Sequence, residues 1–200
     1  MDFERNLQRR GFEKICGIDE AGKGALAGPL VSAAVIAPIE GFDFEVNDSK
    51  KLSAKRRQEI SLKIKEKAIA WSVGVCQTEE INSLGIKQAM YLCYERSICD
   101  LKIKPDYLII DYFTLPSSTT PQTGITKGDQ VSATIAAASI IAKTTRDEIM
   151  KRLAKKYSFF KFEKNFGYGT ADHRQAIKTH GPTCEHRKLF IRNCLKESVI

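Results

Sequence analysis

An apolar run, Ile15-Cys16-Gly17-Ile18, ends in two adjacent carboxylates, Asp19 and Glu20, and passes at once into a glycine-rich turn, Ala21-Gly22-Lys23-Gly24. A second apolar run, Leu30 to Ala37, follows. Short apolar runs bounded by glycine read as buried strands, so this segment predicts strands over 13–19 and 30–37 joined by the turn. The acid pair matters because the chain is otherwise basic: 32 Lys plus Arg outweigh 24 Asp plus Glu, a formal net charge of +8. A positive surface attracts phosphate backbones, whereas a tight carboxylate pair repels them unless a cation sits between. Metal-assisted chemistry on nucleic acid reconciles the two.

The remaining sequence narrows the class. Two hundred residues suit one domain with a real core. We expect a core over about 1–157 and a helical extension over about 158–200. No apolar run approaches the ~20 residues needed to span a bilayer, and the N-terminus, Met1-Asp2-Phe3-Glu4-Arg5-Asn6, is too polar for a secretory signal. A cytoplasmic, monomeric protein without membrane contact is expected. Six cysteines (Cys16, Cys76, Cys93, Cys99, Cys184, Cys194) form no CxxC pair and no zinc spacing with His173, His180 or His186, so reduced thiols without a shared role are expected.

Along the chain, residues 2–10 read as a short helix ending at Gly11. Ser53 is placed to cap a basic helix over 54–67, followed by a strand at 69–76. A helix over about 85–101 carries Ile86, Met90, Cys93, Ser97 and Leu101 near helical spacing. Tyr107-Leu108-Ile109-Ile110-Asp111 is a buried central strand ending in an acid. A loop with Pro116, Pro121 and Gly124 leads to Lys127-Gly128-Asp129, and a long helix over 131–156 opens with the small-residue run Ala133 to Ile140. An aromatic loop (Phe159, Phe160, Phe162, Phe166, Tyr168) and two short helices complete the chain. Strands first, then strands alternating with helices, indicate an α/β fold: a mixed central sheet flanked by helices, with a small helical C-terminal part.

Three acids, Asp19, Glu20 and Asp111, stand at or just past strand ends, where open sheets place their ligand sites, and Asp129 is displayed at a turn before a helix. Mg²⁺ and Mn²⁺ prefer such oxygen donors, and Mg²⁺ typically takes one or two carboxylates plus substrate phosphate and water. Two ions about 3.5–4 Å apart can activate a water and stabilise the leaving oxygen in phosphodiester hydrolysis. Gly17 to Lys23 also matches the GxxxxGK part of a P-loop, but Gly24 occupies the place of the Ser/Thr that should reach Mg²⁺; we reject that match.

The segment Gly17-Ile18-Asp19-Glu20-Ala21-Gly22-Lys23-Gly24-Ala25-Leu26-Ala27-Gly28-Pro29 resembles the opening motif of bacterial ribonuclease HII. The resemblance continues in order through Asp48-Ser49-Lys50-Lys51-Leu52-Ser53, Ile110-Asp111, Lys127-Gly128-Asp129 and Ile135 to Lys143 with Arg146-Asp147. Gly167-Tyr168-Gly169-Thr170, Gly181-Pro182-Thr183 and His186-Arg187 complete it, so that it spans about residues 14–190. It implies a ribonuclease H-like fold and a metal-dependent endonuclease, using two Mg²⁺ or Mn²⁺ ions. The implied substrates are RNA–DNA hybrids, cut in the RNA strand, and duplex DNA containing single ribonucleotides. The implied products carry a 5′-phosphate and a 3′-hydroxyl.

Carried over residue by residue, Asp19, Glu20, Asp111 and Asp129 match the family's catalytic carboxylates. Asp19 is expected to bridge the two ions, and Asp129 to bind the second ion or position the attacking water. Gly22-Lys23-Gly24 matches a Gly-Arg-Gly element whose backbone senses the ribose 2′-OH; glycine permits that approach, and the 2′-OH is what marks RNA. Lys23 departs from the usual Arg and cannot make a planar bidentate contact. Gly-Lys-Gly is also similar to the sister family, ribonuclease HIII, which carries an extra N-terminal domain; about a dozen residues precede the first strand here, and the Asp48 to Ser53 segment also favours HII. Tyr168 matches a tyrosine that packs against the sugar past the junction. Lys50, Lys51, Lys143, Arg146, His186 and Arg187 are expected phosphate contacts. Ser139 supports an acid or packs a helix, and the sequence leaves both open. The C-terminus, Leu195 to Ile200, shows no clamp-binding motif. The competing classes are a non-catalytic nucleic-acid-binding module and a DNA-directed nuclease of the same superfold. The four acids oppose the first, and Gly-Lys-Gly with Gly-Tyr-Gly opposes the second.

Overall fold

The computed structural model describes residues 2–46 and 52–196. Its centre is β1 (Ile15–Ala21), antiparallel to β2 (Leu30–Ile36) on one side and parallel to β4 (Tyr107–Asp111) on the other. The edges are β3 (Ala70–Cys76), antiparallel to β2, and β5 (Gln122–Ile125), parallel to β4, giving the order β3-β2-β1-β4-β5. The sheet is mixed, as its sequence pattern implied.

Strand alternation sends β1 side chains to opposite faces, and each face is covered. Cys16 and Ile18 join Leu30, Ala34 and Leu108 against Met90 and Cys93 of the helix α4 (Ile86–Cys99). On the other face, Ala33 and Val35 pack on Ala137, Ala138 and Ile141 of α6 (Ala133–Lys156), joined by Ile60 and Ile64 of α2 (Ala54–Lys67). Each fully buried Ile or Leu contributes about 1.5–3 kcal/mol. The small residues of α6 are used against the sheet: a Cβ on Gly17 would lie 2.3 Å from the Thr134 carbonyl carbon. This close approach fixes α6 relative to the strand that carries Asp19.

The start of α6 is held twice. The Ser132 hydroxyl accepts from Ile135 N at 3.1 Å, and Glu4, on α1 (Asp2–Arg9), accepts from Thr134 N at 3.1 Å. Burial opposes the charged form of Glu4, yet bonds from Ser132 and Thr134 outweigh it and hold the carboxyl below its ordinary value. An anion at a helix N-terminus is favoured by the helix dipole.

Four features differ from the sequence reading. β1 runs to Ala21, so Asp19 and Glu20 lie inside the strand rather than at or past its end. The helix expected over 131–156 is broken at Ser132, whose backbone is extended (φ −124°, ψ 124°), separating α5 (Gly128–Val131) from α6; a serine that caps the second helix ends the first. The proline-containing loop includes β5, which gains backbone partners from β4. A helix that periodicity did not reveal, α3 (Thr78–Leu84), precedes α4 and is separated from it by Gly85 at φ 76°. Ser53 does cap α2, accepting from Arg56 N at 3.2 Å.

Beyond α6, a 3₁₀ turn (Ser158–Phe160), α7 (Phe162–Asn165), α8 (Ala171–His180) and α9 (Arg192–Lys196) form the helical C-terminal part. Phe160, Phe162, Ile177 and Ile191 pack around Leu26, Ala27 and Met150. The C-terminal part is thus built against the loop that follows the acid pair. The cysteines are free, and burial pushes the Cys16 and Cys93 thiols up to about 12. Among the described residues no helix is long and apolar enough to cross a membrane.

Candidate active site

A cleft opens at the C-terminal ends of β1 and β4. Asp19, Glu20 and Asp111 line it together with the Gly22-Lys23-Gly24 turn. Ser139 and Lys143 of α6 and Tyr168 of the C-terminal part complete the wall. Adjacent residues of a strand face opposite ways, so the two neighbouring acids are supported by different helices. The Ser139 hydroxyl, from α6, donates to Asp19, and Tyr94, from α4, donates its hydroxyl to Glu20 Oε2. Asp19 Oδ1 also accepts from Glu20 N at 2.7 Å, and Asp111 Oδ1 accepts from Gly128 N at 2.7 Å.

The electrostatics are those of crowded anions. Burial raises the Asp19 carboxyl well above its ordinary value, and repulsion from Glu20 and Asp111 adds to it. Burial also raises Glu20, with Asp111 adding, against opposing pulls from Tyr94 and Lys23. The Lys23 ammonium is 3.9 Å from Glu20 Oε1 and 4.5 Å from the centre of the Phe113 ring. Such a site favours a positive partner. Among the described residues no three Asp, Glu, His or Cys side chains converge tightly enough to cage an ion alone. The donor set fits a hard cation that also draws on water and phosphate oxygens.

Asp129 is buried on α5, next to Gly128, whose N–H donates to Asp111 at the edge of the cleft. Lys143 lines it, ion-paired to Asp147 at 2.7 Å and 5.6 Å from the centre of the Tyr168 ring. Lys50 and Lys51 lie outside the described residues. Three expected phosphate contacts are corrected. Arg146 and Arg187 are completely buried and His186 is 2% exposed. Arg146 donates to the carbonyls of Pro29, Phe166 and Ala27 at 2.9–3.1 Å. His186 Nδ1 accepts from Thr183 N at 2.9 Å, so its Nε2–H faces His173 Nε2 at 3.1 Å. The Nδ1–H of His173 then donates to the Tyr168 carbonyl at 2.9 Å. These side chains bond to the protein around them instead of meeting the solvent.

Sequence reasoning missed Tyr94; its signal was a phenol on the apolar face shared by Met90, Cys93 and Ser97 of α4. It also missed Tyr112, exposed at 62% with φ 67°, whose ring lies 5.9 Å from Lys23 Nζ.

The family model described as Ribonuclease HII matches residues 16–195. The chain belongs to the ribonuclease HII family. A Ribonuclease HII of Geobacillus sp. (strain WCH70) is 50% identical over 188 residues, covering 94% of this chain and 68% of that protein. Among solved structures, ribonuclease H2 from Pyrococcus horikoshii OT3 superposes with a TM-score of 0.78 at 24% identity, over 92% of this chain and 98% of that one. Bst-RNase HIII in complex with Mn²⁺ gives 0.74 at 22% identity, over 93% and 70%. These two establish the ribonuclease H-like fold. Membership of the ribonuclease HII family makes the chain a metal-dependent endoribonuclease.

Proposed function

We propose that the chain cuts the RNA strand of RNA–DNA hybrids and incises duplex DNA on the 5′ side of embedded ribonucleotides, leaving 5′-phosphate and 3′-hydroxyl ends. The observation that carries this reading is the meeting of Asp19, Glu20 and Asp111 with Gly22-Lys23-Gly24 and Tyr168 in one cleft. The acids supply hard oxygen donors, and the turn supplies backbone that can approach a sugar closely. Asp19, Glu20 and Asp111 would hold Mg²⁺ or Mn²⁺, and Asp129 would serve a second ion or orient the water. Bound ions would supply the activated water and stabilise the departing 3′-oxygen.

The protein's own groups do the positioning. Hydrogen bonds from Ser139 and Tyr94 hold the Asp19 and Glu20 carboxyls in place. Lys143 offers its charge to phosphate, and the Tyr168 ring, flanked by Lys143 and Arg146 at 5.6 and 5.3 Å, presents a flat face for a sugar. The test is cleavage of duplex DNA containing one ribonucleotide, with Mg²⁺ or Mn²⁺, beside EDTA, an all-DNA control and Asp19→Asn. Cutting confined to the 5′ side of the ribonucleotide, and absent from the three controls, is the expected outcome. Cutting of all-DNA duplex would sink the ribonucleotide reading, and folded protein inert with both metals would sink the nuclease.

A further inference from the structure

We infer that Arg187, buried behind the Gly22-Lys23-Gly24 turn, is a positioning residue that aims the backbone N–H groups of Lys23 and Gly24 into the cleft as the donors for the substrate ribose. This rests on the proposed recognition of ribonucleotides at that turn.

Arg187 Nη1 donates to the carbonyls of Gly22 at 2.7 Å and Lys23 at 3.1 Å. Its Nε and Nη2 donate to Gly28 at 3.0 and 2.9 Å, and Nη2 also to Pro29 at 3.1 Å. One planar guanidinium therefore gathers four carbonyls of a single loop, which its fixed fork of donors allows and a lysine ammonium would not. Desolvation of a charge is costly unless its donors are satisfied; here carbonyl dipoles satisfy them. Burial, with Arg146 alongside, pulls the guanidinium down to about 9, so it stays protonated at neutral pH.

The consequence follows from peptide geometry. In a trans peptide the C=O of one residue points opposite to the N–H of the next, and the described chain contains no cis peptide. Drawing the Gly22 and Lys23 carbonyls inward onto Nη1 turns the Lys23 and Gly24 N–H groups outward. That outward side is the cleft, since Gly22, Lys23 and Gly24 line it. The Ala25 N–H donates to Gly22 O at 3.2 Å, which makes Lys23 and Gly24 the central residues of a β-turn whose own hydrogen bond uses neither amide. Gly22 itself has φ 96°, and a Cβ there would lie 2.0 Å from Arg146 Nε, so the backbone rests directly on the two arginines. Two adjacent amides on the cleft side suit a ribose 2′-oxygen, which deoxyribose lacks.

The test compares binding of a duplex with one ribonucleotide and the matching all-DNA duplex, with Ca²⁺ replacing the catalytic ions so that the complex stays uncut. Wild type and Arg187→Lys are measured, each shown folded by its Tm. The wild type is expected to prefer the ribonucleotide duplex. Arg187→Lys should lose at least fivefold of that preference while its affinity for all-DNA duplex stays within twofold, which a general loosening of the fold would not produce. An intact preference in folded Arg187→Lys overturns the role of Arg187 alone. A wild type that neither prefers nor cuts the ribonucleotide duplex overturns the functional reading and this inference with it. If Arg187→Lys does not fold, amide hydrogen exchange in the wild type decides. Protection of Lys23 and Gly24 by the ribonucleotide duplex but not by all-DNA duplex supports the aiming, and equal exchange in both overturns it.

Discussion

Two clusters of buried charge stand on either side of the loop from Gly22 to Pro29. On the cleft side, Asp19, Glu20 and Asp111 repel one another, and burial drives the carboxyls of the first two toward protonation. Behind the loop, Arg146 and Arg187 are more deeply buried, yet their donors are taken up by carbonyls of residues 22–29 and 166. The arginines meet carbonyl dipoles that favour their charge, whereas the acids, though hydrogen-bonded, still repel one another, which favours a cation between them. The contrast separates a scaffold, which is saturated, from a site, which is under tension. It predicts opposite responses to neutralising a charge in each.

The largest effect is expected at Asp19→Asn. Activity should fall by about three orders of magnitude, the scale seen when a preorganised charge-stabilising group is removed, as measured by single-turnover cleavage. The same change relieves repulsion, so the Tm should rise by about 2–4 °C, the shift expected for ~1 kcal/mol in a chain of this size. Arg187→Met should do the reverse on stability, costing about 3 kcal/mol or more in urea unfolding, because several buried carbonyls lose a donor at ~1–3 kcal/mol each. A Tm that moved in the same direction for both variants would erase the distinction between the two clusters.

Gly17→Ala sharpens the comparison by disturbing what lies beneath both. Its methyl would press on the backbone of Thr134 and Ile135, and a cost of about 1–3 kcal/mol is expected from the forced shift. Because α6 carries Ser139 and Lys143, activity should fall more than the stability loss alone explains, as comparing kcat at equal folded fraction would reveal.

The histidine pair behind Tyr168 adds a pH dependence of defined sign. Burial, and His173 beside it, lowers His186 from its ordinary value to about 4. A lowered histidine contributes stability that is fully present above its unfolded pKa of about 6.5 and is lost as pH falls toward 4. Unfolding free energy should therefore decline from pH 7 to pH 4, by at most about 3 kcal/mol from this group, and His186→Asn should flatten that slope. Asp19 and Glu20, with raised values, work the other way, so the slope is best read in an Asp19→Asn background. The smallest effect is expected at Tyr94→Phe. Losing the phenol removes a bond that favours ionised Glu20, so the acid limb of the kcat/KM profile should move to higher pH.

The amino-acid order was legible where a local rule governs. Apolar runs marked β1, β2 and β4, Ser53 marked the start of α2, and small residues marked the part of α6 that reaches the sheet. The motif acids Asp19, Glu20 and Asp111 were readable by their place beside those runs, and the series of motifs identified the family. Legibility failed at β5, which has little apolar character of its own and exists because β4 offers backbone partners, and at α3, whose periodicity is too short to register.

The sequence by itself determined the family, the mixed sheet and the basic chain with an acidic cleft, because these depend on residue types and their spacing. Only the tertiary structure decided which charged residues meet the solvent. Lys143 and Arg146 are three residues apart on one helix, so nothing in their order shows that the first reaches the cleft while the second is enclosed. The same holds for Arg187, whose carbonyl partners lie more than 150 residues away in the chain. Burial is a property of the surroundings, and those surroundings are assembled only when the C-terminal helices close over the loop that follows Asp19 and Glu20.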